Sequence, residues 1–445
     1  MSNPQASLTP DQLLAMTPAQ QNSYFATQAD GGASAKAMLA QYKMAINQAN
    51  TQYLQQSIDK YAVCPPTGGG VTAAYAAGTT LNFNFPTAGG AFLRELEFIV
   101  AINFTPATGT AATYGYTPAG AYAWFTEIDV IYNGQQARIR PYFLKILDTI
   151  KKRQWLPYNQ VVTSLQVNAT VTANIAQAQP ALTGGSAALS KFIFRLPLQL
   201  QRWSPVGMLP MQGQGTKGQI NVQCATTLGA ANADPMLVPI LFTGGTGNAI
   251  TLGAATVQVN AIYNDGTNFL SKTPLSLNLA NLPTAQYIIE QQLNPLTAAT
   301  ILRQRIATLL NHYHVVSVII DGVQSTTFST PANITQIELD QDAAGQNKFW
   351  LYGPPNNTTY YDYAERMRQY YGQDLDIGVI DWVNALQFNS IDVDDQNGNQ
   401  PLNMTSGAWT DVNYGVQVGA TSTANFTPRV ETYLFSRNDA GLVLA

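Results

Sequence analysis

Charge is the first thing that this sequence has little of. Asp, Glu, Lys and Arg make up 11% of its 445 residues, whereas a soluble domain usually carries about 25%. Gln, Asn, Thr, Ala and Gly fill the polar positions instead. Because a charge at the centre of an interface must be desolvated or paired, this composition suits a chain whose sides are covered by neighbours. An extracellular β-protein with a Thr- and Asn-rich surface would have the same low content of charge, and this alternative stays open.

Clusters of basic residues are scarce as well. The formal net charge is −4, and binding of nucleic-acid phosphates needs clustered Lys and Arg. The one basic run, residues 151–153, closes a predicted helix, where its cations meet the negative end of the helix dipole. We therefore expect no direct contact with nucleic acid.

Cysteines and long apolar runs are also nearly absent. Cys64 and Cys224 are the only cysteines, which excludes a disulfide framework and indicates assembly in a reducing compartment. The N-terminus, MSNPQASLTPDQLL, has neither the basic nor the apolar region of a signal peptide. No run reaches the roughly 18 apolar residues of a membrane span. We expect a chain that is neither conventionally secreted nor membrane-spanning.

Catalytic motifs are missing: there is no phosphate-binding loop with Lys, no nucleophile elbow and no paired Cys motif. The sharpest remaining candidate is His312-Tyr313-His314, because residues two apart on a strand share a face and could approach one metal ion. These are the only two histidines, and a metal enzyme with His ligands on such a strand would need a third His and a nearby Glu to complete the ligand set. We therefore predict no metal, no cofactor and no enzymatic activity.

An acidic patch near the C-terminus is the second metal candidate. Asp392, Asp394 and Asp395 precede Asn397-Gly398. Their spacing does not match the calcium loop of helix-loop-helix proteins, in which the Gly follows acids at the first, third and fifth positions. A solvated turn is the better interpretation.

The first 62 residues are rich in Ala, Gln and Met, and they predict a helical arm. Thr9-Pro10-Asp11-Gln12 and Thr17-Pro18-Ala19-Gln20 each offer a Thr N-cap, Pro at the first helical position and Gln at the third, which is a capping-box arrangement. Ser34 is a candidate cap for the next helix. Apolar residues then recur at intervals of three and four, at Leu39, Tyr42, Ile46, Ala49 and Tyr53.

The opposite face of this last helix carries Gln and Asn with few charges. A helix that lies on a membrane surface is usually rich in Lys and Arg. We therefore expect the apolar face of the arm to pack under its own domain, with contact to lipid as the alternative.

From residue 63 onward, the sequence pattern changes from helical periodicity to alternating strands separated by turns. The first half contains LNFNF, FLRELEFIVAINF and WFTEIDVIYNG, then a helix at 141–153, and then VVTSLQVNATVTANI, FIFRLPLQLQ, GQINVQCAT and a strand at 256–264. Residues 228–255 are rich in Gly and Ala and carry little signal. This half is predicted to form one domain over residues 63–270.

The second half repeats that order after a linker at 271–284, in which Pro274 and Pro283 interrupt any regular element. A helix is predicted over 297–313, followed by VVSVIIDG, ITQIELDQ and KFWLYG. An aromatic helix at 360–371 then occupies the place of 141–153. Finally, three strands of the second half correspond in order to three of the first: DIGVIDWVNAL to FIFRLPLQLQ, DVNYGVQVGA to GQINVQCAT, and RVETYLFS to TVQVNAIYN.

Two similar halves of about eight short strands each predict an all-β chain: two tandem antiparallel jelly-roll sandwiches with inserted helices, after the N-terminal helical arm. The second roll is expected over residues 285–445. The aromatic helix could bind sugars, but Tyr is also enriched at protein interfaces, so we predict an interface there. The residues concerned are Tyr360, Tyr361, Tyr363, Tyr370 and Tyr371.

This element order resembles that of the double jelly-roll major capsid proteins of tectiviruses. The likeness is carried by MTPAQQ at 16–21, by Arg305-Ile306-Ala307-Thr308, by Gly378-Val379 and Tyr414-Gly415 at strand starts, and by the closing strand at 429–437. It covers essentially the whole chain in element order, with sparse identity.

The resemblance implies the major capsid protein of a bacteriophage, which forms homotrimers in an icosahedral shell over an internal lipid membrane. Two rolls per chain and three chains per ring give six similar sides, which can tile a hexagonal lattice. The arm, residues 7–58, would lie beneath the rolls near the membrane. Neighbouring trimers, minor capsid proteins and membrane proteins are the implied partners, and the virion shell, assembled in the host cytoplasm, is the implied location.

Two other classes of protein stay open. A carbohydrate-binding β-sandwich at a cell surface would share the Thr- and Asn-rich, charge-poor composition, but it needs an export signal that the N-terminus does not supply. A metal-dependent enzyme would depend on His312 and His314.

Overall fold

The computed structural model describes the N-terminal helices and the strands of both halves. The described residues are 8–16, 18–86, 91–108, 113–116, 120–132, 135–141, 182, 184–198, 208–211, 218–230, 238–243, 250–265, 285–292, 301–305, 312–320, 323–324, 327–328, 334–340, 348–352, 378–381, 402–403, 413–418 and 429–436. From residue 285 onward, the description concerns the backbone alone.

Three helices precede the strands: α1 (Pro10–Ala15), α2 (Pro18–Thr27) and α3 (Ala33–Gln56). The predicted capping box is present at α1. The Thr9 hydroxyl accepts a hydrogen bond from the Gln12 amide at 3.3 Å, and the Gln12 side chain accepts one from the Thr9 amide at 2.9 Å. Two amides of the first turn that have no partner within the helix are thereby satisfied.

The predicted cap at Ser34 is wrong, because α3 already begins at Ala33. The Asp30 carboxylate caps this helix instead, accepting hydrogen bonds from the amides of Gly32 at 2.9 Å and Ser34 at 2.8 Å. The hydrogen bonds from Ser34 are the main cause that lowers the pKa of Asp30 to about 2. Each of the two carboxylate oxygens thus accepts one amide at the start of this helix.

The three helices share a small apolar core of their own. Leu13, Phe25 and Leu39 are buried together, one from each helix. Gly32 has a φ of 82° and approaches Phe25 so closely that a Cβ there would lie 2.5 Å from the Phe25 Cβ. Both the backbone conformation and the contact therefore require glycine at this turn. Within the described residues, no helix is long and apolar enough to cross a membrane.

The described residues of the first half form thirteen strands and one short 3₁₀-helix at Gly120–Trp124. The strands are β1 (Ile58–Cys64), β2 (Ala73–Ala74), β3 (Thr80–Asn84), β4 (Ala91–Pro106), β5 (Thr113–Tyr116), β6 (Phe125–Tyr132), β7 (Gln135–Ile139), β8 (Ala188–Pro197), β9 (Leu209–Pro210), β10 (Gly218–Cys224), β11 (Gly229–Ala230), β12 (Ile240–Thr243) and β13 (Ile250–Asp265). Because β1 starts at Ile58, the strands begin before the boundary predicted at residue 62.

Eight of these strands form the main paths of two antiparallel sheets, in the orders β1-β13-β4-β8 and β3-β10-β6-β7, and the short strands β2 and β9 add to the first sheet. Numbered one to eight along the chain, the orders are 1-8-3-6 and 2-7-4-5. This is the connectivity of a jelly roll, with two interlocked Greek keys. We call these eight strands the first roll.

In the second half, the residues that the structure describes form eleven strands. They are β14 (Ala285–Gln292), β15 (Ile301–Arg305), β16 (His312–Ile320), β17 (Val323–Gln324), β18 (Thr327–Phe328), β19 (Ile334–Asp340), β20 (Lys348–Tyr352), β21 (Gly378–Asp381), β22 (Leu402–Asn403), β23 (Asn413–Val418) and β24 (Arg429–Ser436). The main sheets run β14-β24-β16-β21 and β15-β23-β19-β20. Their eight strands, the second roll, repeat the connectivity of the first roll strand for strand.

The predicted fold class is therefore confirmed: two jelly rolls lie in tandem. The three predicted correspondences also hold, since β8 matches β21, β10 matches β23 and β13 matches β24 in the two sheet orders. The predicted inserted helices at 141–153 and 360–371 lie outside the described residues, apart from Pro141. Both segments fall at the same place in the order, after β7 and after β20.

The helix predicted over 297–313 is wrong. Residues Ile301–Arg305 form β15, which pairs antiparallel with β23, and β16 begins at His312. Leu, Arg, Gln and Ala favour a helix by intrinsic propensity. Pairing with a strand more than a hundred residues later overrides that preference, because the jelly roll needs a strand at this point of the order.

The region 228–255, whose Gly- and Ala-rich sequence predicts no clear element, contains regular secondary structure. β11 and β12 lie here and form a three-stranded sheet with β5. β13 begins within it at Ile250, and β13 pairs with β4 as far as Pro106. Gly229 of β11 lies next to Ile250, the first residue of β13.

The core of the first roll is aromatic. Phe98 and Phe194 face each other across β4 and β8, with ring centroids 4.7 Å apart and nearly parallel. Trp124 is completely buried, and its backbone carbonyl accepts a hydrogen bond from the Tyr75 hydroxyl at 2.7 Å. Along β4, Leu96, Phe98, Val100, Ile102 and Phe104 alternate with residues that point to the outer face of the sheet, so one face of this strand lines the core.

Candidate interaction surfaces

The predicted apolar face of the arm is directed in part toward the other helices. Leu39 is buried against Leu13 and Phe25, and Tyr42 is half-buried on the same helix. Ile46 and Ala49 lie further along α3, where the backbone alone is described, and the same holds for Tyr53. The first part of this face therefore holds the three helices together.

Several other predicted residues lie outside the described residues. They are Tyr360, Tyr361, Tyr363, Tyr370 and Tyr371, the basic run at 151–153, and the acidic turn with Asp392, Asp394 and Asp395.

His312 and His314 lie on β16, so the segment is a strand although the helix predicted over 297–313 included His312. Across the sheet, His312 is opposite Ser436 and His314 is opposite Leu434, both on β24. On the other side of β16, His314 is opposite Leu402 of β22. The register shifts between His314 and Val316, which marks a β-bulge directly after the pair.

A polar network crosses the outer face of the β1-β13-β4-β8 sheet. Asn260, Glu97 and Arg195 are direct neighbours on three adjacent strands. Arg195 donates to Glu97 Oε2 from Nε at 3.1 Å and from Nη2 at 3.0 Å, and Asn260 donates to Glu97 Oε1 at 3.2 Å. Gln258 in turn donates to the Asn260 side-chain oxygen at 2.9 Å. Both carboxylate oxygens of Glu97 are thereby paired.

Arg195 serves two carboxylates at once. Its Nη1 lies 3.6 Å from Glu95 Oε2, and Glu95 and Glu97 are each only 8% exposed although they point away from the core. Burial disfavours the charged guanidinium, but the two carboxylates outweigh that penalty, and the pKa of Arg195 is raised. A buried charge of this kind is stable only when it is paired and hydrogen-bonded.

Arg94 connects this network to the edge of the sheet. It sits where the register between β4 and β13 shifts, which turns its side chain out of the regular alternation. Its guanidinium pairs with Asp59 on β1 and lies 4.0 Å from Glu95. The edge strand β1 is thus fixed to the sheet by a side-chain contact in addition to its backbone pairing with β13.

A second charged cluster lies on the outer face of the β3-β10-β6-β7 sheet. Arg138 Nε is 3.0 Å from Glu127 Oε1 and 3.5 Å from Asp129 Oδ1. The pKa of Glu127 is raised, mainly by burial and then by the neighbouring Asp129. Amide residues Asn221 and Gln223 of β10 lie opposite Asp129 and Glu127 in register. Both outer faces are therefore rich in amides with a few compensated charges.

Among the residues whose exposure is described, two of the four exposed large apolar side chains lie on β1. Ile58 is 67% exposed and Tyr61 is 60% exposed, and both belong to this strand. β1 pairs with β13 along one side, and within the described residues no strand pairs with its other side. Val71, 52% exposed, lies in the turn that follows, and Met44, 47% exposed, lies on α3. An open strand edge with apolar side chains is a common place for another chain to add.

The two rolls meet through two edge strands. β7 is the last strand of the sheet β3-β10-β6-β7, and β14 is the first strand of the sheet β14-β24-β16-β21. These two strands lie alongside each other. The contact therefore joins different edges of the two similar rolls.

Viral capsid proteins share this fold. The chain is similar to the major capsid protein of STIV at 12% identity, over 86% of this chain and 99% of that chain, with a TM-score of 0.56. A chain in the atomic structure of Sulfolobus Turreted Icosahedral Virus gives 12% identity, 85% and 90% coverage and a TM-score of 0.55. The major capsid protein of bacteriophage PM2 gives 10% identity, 85% and 98% coverage and a TM-score of 0.42.

No protein-family model and no curated protein matches the sequence. The expected resemblance to double jelly-roll major capsid proteins is confirmed at the level of the fold, over most of the chain. The chain therefore belongs, by its architecture, with proteins built from two tandem jelly rolls.

The sequence alone did not identify the network around Arg195 or the open edge at β1. A partial signal was present, since Arg94, Glu95 and Glu97 lie among the apolar residues of FLRELEF, and Arg195 lies in FIFRLPL. Charges within otherwise apolar strands must be paired with one another. Which strands are neighbours, however, depends on the jelly-roll connectivity.

Proposed function

We propose that this chain is a major capsid protein, a building block of an icosahedral viral shell without catalytic activity. The observation that carries the proposal is the match of both rolls at once: the similarity to the STIV major capsid protein extends over 86% of this chain and 99% of that chain. A single jelly roll occurs in lectins, enzymes and capsids alike. Two rolls of identical connectivity in one chain form a much more specific architecture.

The building block that we propose is a homotrimer. Two similar rolls per chain supply two similar sides, so three chains in a ring supply six, which suits a hexagonal lattice. The low content of charge supports this arrangement, because most sides of such a subunit are covered by neighbouring subunits. Neighbouring trimers and minor capsid proteins are the partners in this proposal, and the virion is the location, after assembly in the host cytoplasm.

The helical arm is proposed to lie on the inner side of the shell, next to an internal lipid membrane and its proteins. The exposed Met44 on α3 supports a contact outside the arm, since the buried residues Leu13, Phe25 and Leu39 are used to join the helices. Deletion of residues 1–56 removes the helices and leaves β1 intact. We expect the shortened chain to fold but to form fewer shells or to lose association with vesicles.

The native mass of the purified chain tests the proposal, measured by light scattering after size-exclusion chromatography. The expected mass is three times the 48.1 kDa of one chain. A monomer at all concentrations and salt conditions would contradict the trimer. Binding of such a monomer to a glycan array would instead favour a carbohydrate-binding β-sandwich protein.

A further inference from the structure

Glu127 and Asp129 are a pair of carboxylates that share one guanidinium. They lie two residues apart on β6 and therefore point to the same outer face of the sheet β3-β10-β6-β7. Their side chains are only 17% and 13% exposed. Arg138 of β7 provides the guanidinium, whose Nε lies 3.0 Å from Glu127 Oε1 and 3.5 Å from Asp129 Oδ1. One exposed cation thus serves two carboxylates that are largely shielded from water.

The pair is short of hydrogen-bond donors. Asp129 Oδ1 is buried and has no hydrogen-bond partner within the described part of the chain, since its 3.5 Å distance to Arg138 Nε is longer than a normal hydrogen bond. Asn221 of β10 lies opposite Asp129 in register, and its Oδ1 is likewise buried without such a partner. Two neighbouring residues therefore each present a buried acceptor that lacks a donor, which costs free energy.

The network around Glu97 shows what is missing here. It is also built from an amide, a carboxylate and a guanidinium on three adjacent strands. There, Asn260 donates to one carboxylate oxygen of Glu97, and Arg195 donates to the other. Both oxygens of Glu97 are paired, whereas Oδ1 of Asp129 is not. The second network lacks one donor that the first network has.

A proton on Glu127 supplies such a donor. A protonated carboxyl group carries an O–H donor, and Glu127 is the nearest carboxyl to Asp129 along the same face of β6. A metal cation would instead be repelled by the guanidinium of Arg138, which is already in contact with both carboxylates. Burial, followed by the charge of Asp129, raises the pKa of Glu127.

The charged groups that face the pair come from the side of β7. Arg138 on this strand and Arg140 just after it both act to lower the pKa of Glu127, but burial outweighs them. On the other side, β10 presents the uncharged amides Asn221 and Gln223 opposite the two carboxylates. Removal of one negative charge is therefore the direct way to balance the pair.

We propose that Glu127 and Asp129 form a pH-sensitive pair: in acid, Glu127 takes up a proton from solvent and donates a hydrogen bond to Asp129, while Arg138 balances the one remaining carboxylate. β7, which carries Arg138, lies alongside β14 of the second roll. The edge that is held more firmly in acid is thus the one next to the second roll. The proposal concerns one chain and does not depend on the proposed function.

The direction of the pH effect follows from linkage. Because the pKa of Glu127 is raised in the folded state, the folded chain binds this proton more tightly than the unfolded chain does. The contribution of the pair to stability is therefore fully present below the ordinary pKa of a glutamate. It is lost as the pH rises through the raised pKa of the folded state.

The test compares the same substitution at two sites by urea unfolding. Glu127→Gln removes the repulsion and provides an amide donor for Asp129, so it should raise the unfolding midpoint at pH 8, and this gain should shrink toward pH 4. Glu97→Gln is the matched control. It should lower the midpoint at pH 8, because Glu97 is paired at both oxygens. Equal decreases in the two variants would overturn the proposal.

Asp129→Asn keeps the proposal testable if Glu127→Gln does not fold. It also removes one of the two like charges, so it should raise the midpoint at pH 8 and lose this gain in acid. In the wild type, with ¹³C-labelled glutamate carboxyls, one NMR signal should titrate above the value of about 4.3 of a free glutamate. Asp129→Asn should lower that titration midpoint. A glutamate signal unaffected by Asp129→Asn throughout the titration would overturn the proposal.

Added calcium or magnesium chloride distinguishes a proton from a metal ion. At pH 8, neither salt should raise the unfolding midpoint of the wild type more than potassium chloride of equal ionic strength does. A specific rise in the wild type that is absent from Glu127→Gln would mean that the pair holds a cation, and it would overturn the proposal.

Discussion

Arg195 on β8 donates two hydrogen bonds to one carboxylate oxygen of Glu97 on β4, at 3.1 Å and 3.0 Å, and the same guanidinium lies 3.6 Å from Glu95. Arg195→Met should therefore leave two little-exposed carboxylates beside each other without a cation. We expect the free energy of unfolding to fall by about 2 kcal/mol. This loss is smaller than for a fully buried ion pair, because the site retains some water. Urea unfolding measures this change.

A double variant provides the control. Glu97→Gln combined with Arg195→Met removes one charge of each sign, and we expect it to be more stable than the sum of the two single changes predicts. Strict additivity of the three free energies would contradict the coupling of Arg195 with Glu97.

Phe194 is the centre of the aromatic core of the first roll. It stacks on Phe98 at 4.7 Å and contacts the rings of Tyr122 and Phe125. Phe194→Ala should lower the free energy of unfolding by about 4 kcal/mol, through lost burial and the cavity left behind. Ile193→Ala, next to it but on the outer face of β8, should cost less than half as much. Equal losses at the two positions would mean that the faces of β8 are wrongly assigned.

Cys64 and Cys224 should be inert in the native protein. Both thiols are buried, and burial raises the pKa of Cys64 to about 12 and that of Cys224 to about 11. Because the pKa values are raised, the reactive thiolate is scarcer at pH 8 than for a free cysteine, and it increases only as the pH rises further. A colorimetric thiol reagent at pH 8 should detect none in the native protein and both after denaturation. Rapid reaction of either native thiol would contradict the burial.

The helical arm should depend on Leu39. Leu39→Asp places a charge among Leu13 and Phe25, so the helices should separate and become sensitive to protease while the rolls stay folded. Met44→Asp is the matched control, because Met44 is on the same helix but 47% exposed. Limited proteolysis followed by mass spectrometry locates the cleavage sites. Equal protection of the arm in both variants would contradict the shared core of the three helices.

Much of the fold could be predicted from the sequence because strand alternation and element order are local signals. The correspondence of GQINVQC with NYGVQV, and of FIFRLP with GVID, follows from such patterns, and the sheet orders confirm it. The elements that sequence reasoning missed or assigned wrongly are strands that depend on pairing with segments far away in the chain. ILRQR is a strand because β23 lies beside it, and the short strands β11 and β12 exist because β5 completes their sheet. Segments of two to five residues carry too little periodicity to reveal such partners.

The candidate interaction surfaces were harder to predict for the same reason. The face of the arm that begins at Leu39 is visible as a helical period. That β1 is an edge strand is a property of the jelly-roll connectivity, because the strand beside it comes from another part of the chain. Exposure of Ile58 and Tyr61 therefore emerges only once the sheets are assembled.

The most direct test of the central claim, that this double jelly-roll chain is the building block of a shell, is electron microscopy of the purified full-length protein at rising concentration. The proposal predicts particles of three chains, each with two rolls, in a ring of six similar lobes that associates into hexagonal arrays. Isolated two-lobed particles that form neither rings nor arrays at any concentration or salt condition would contradict it.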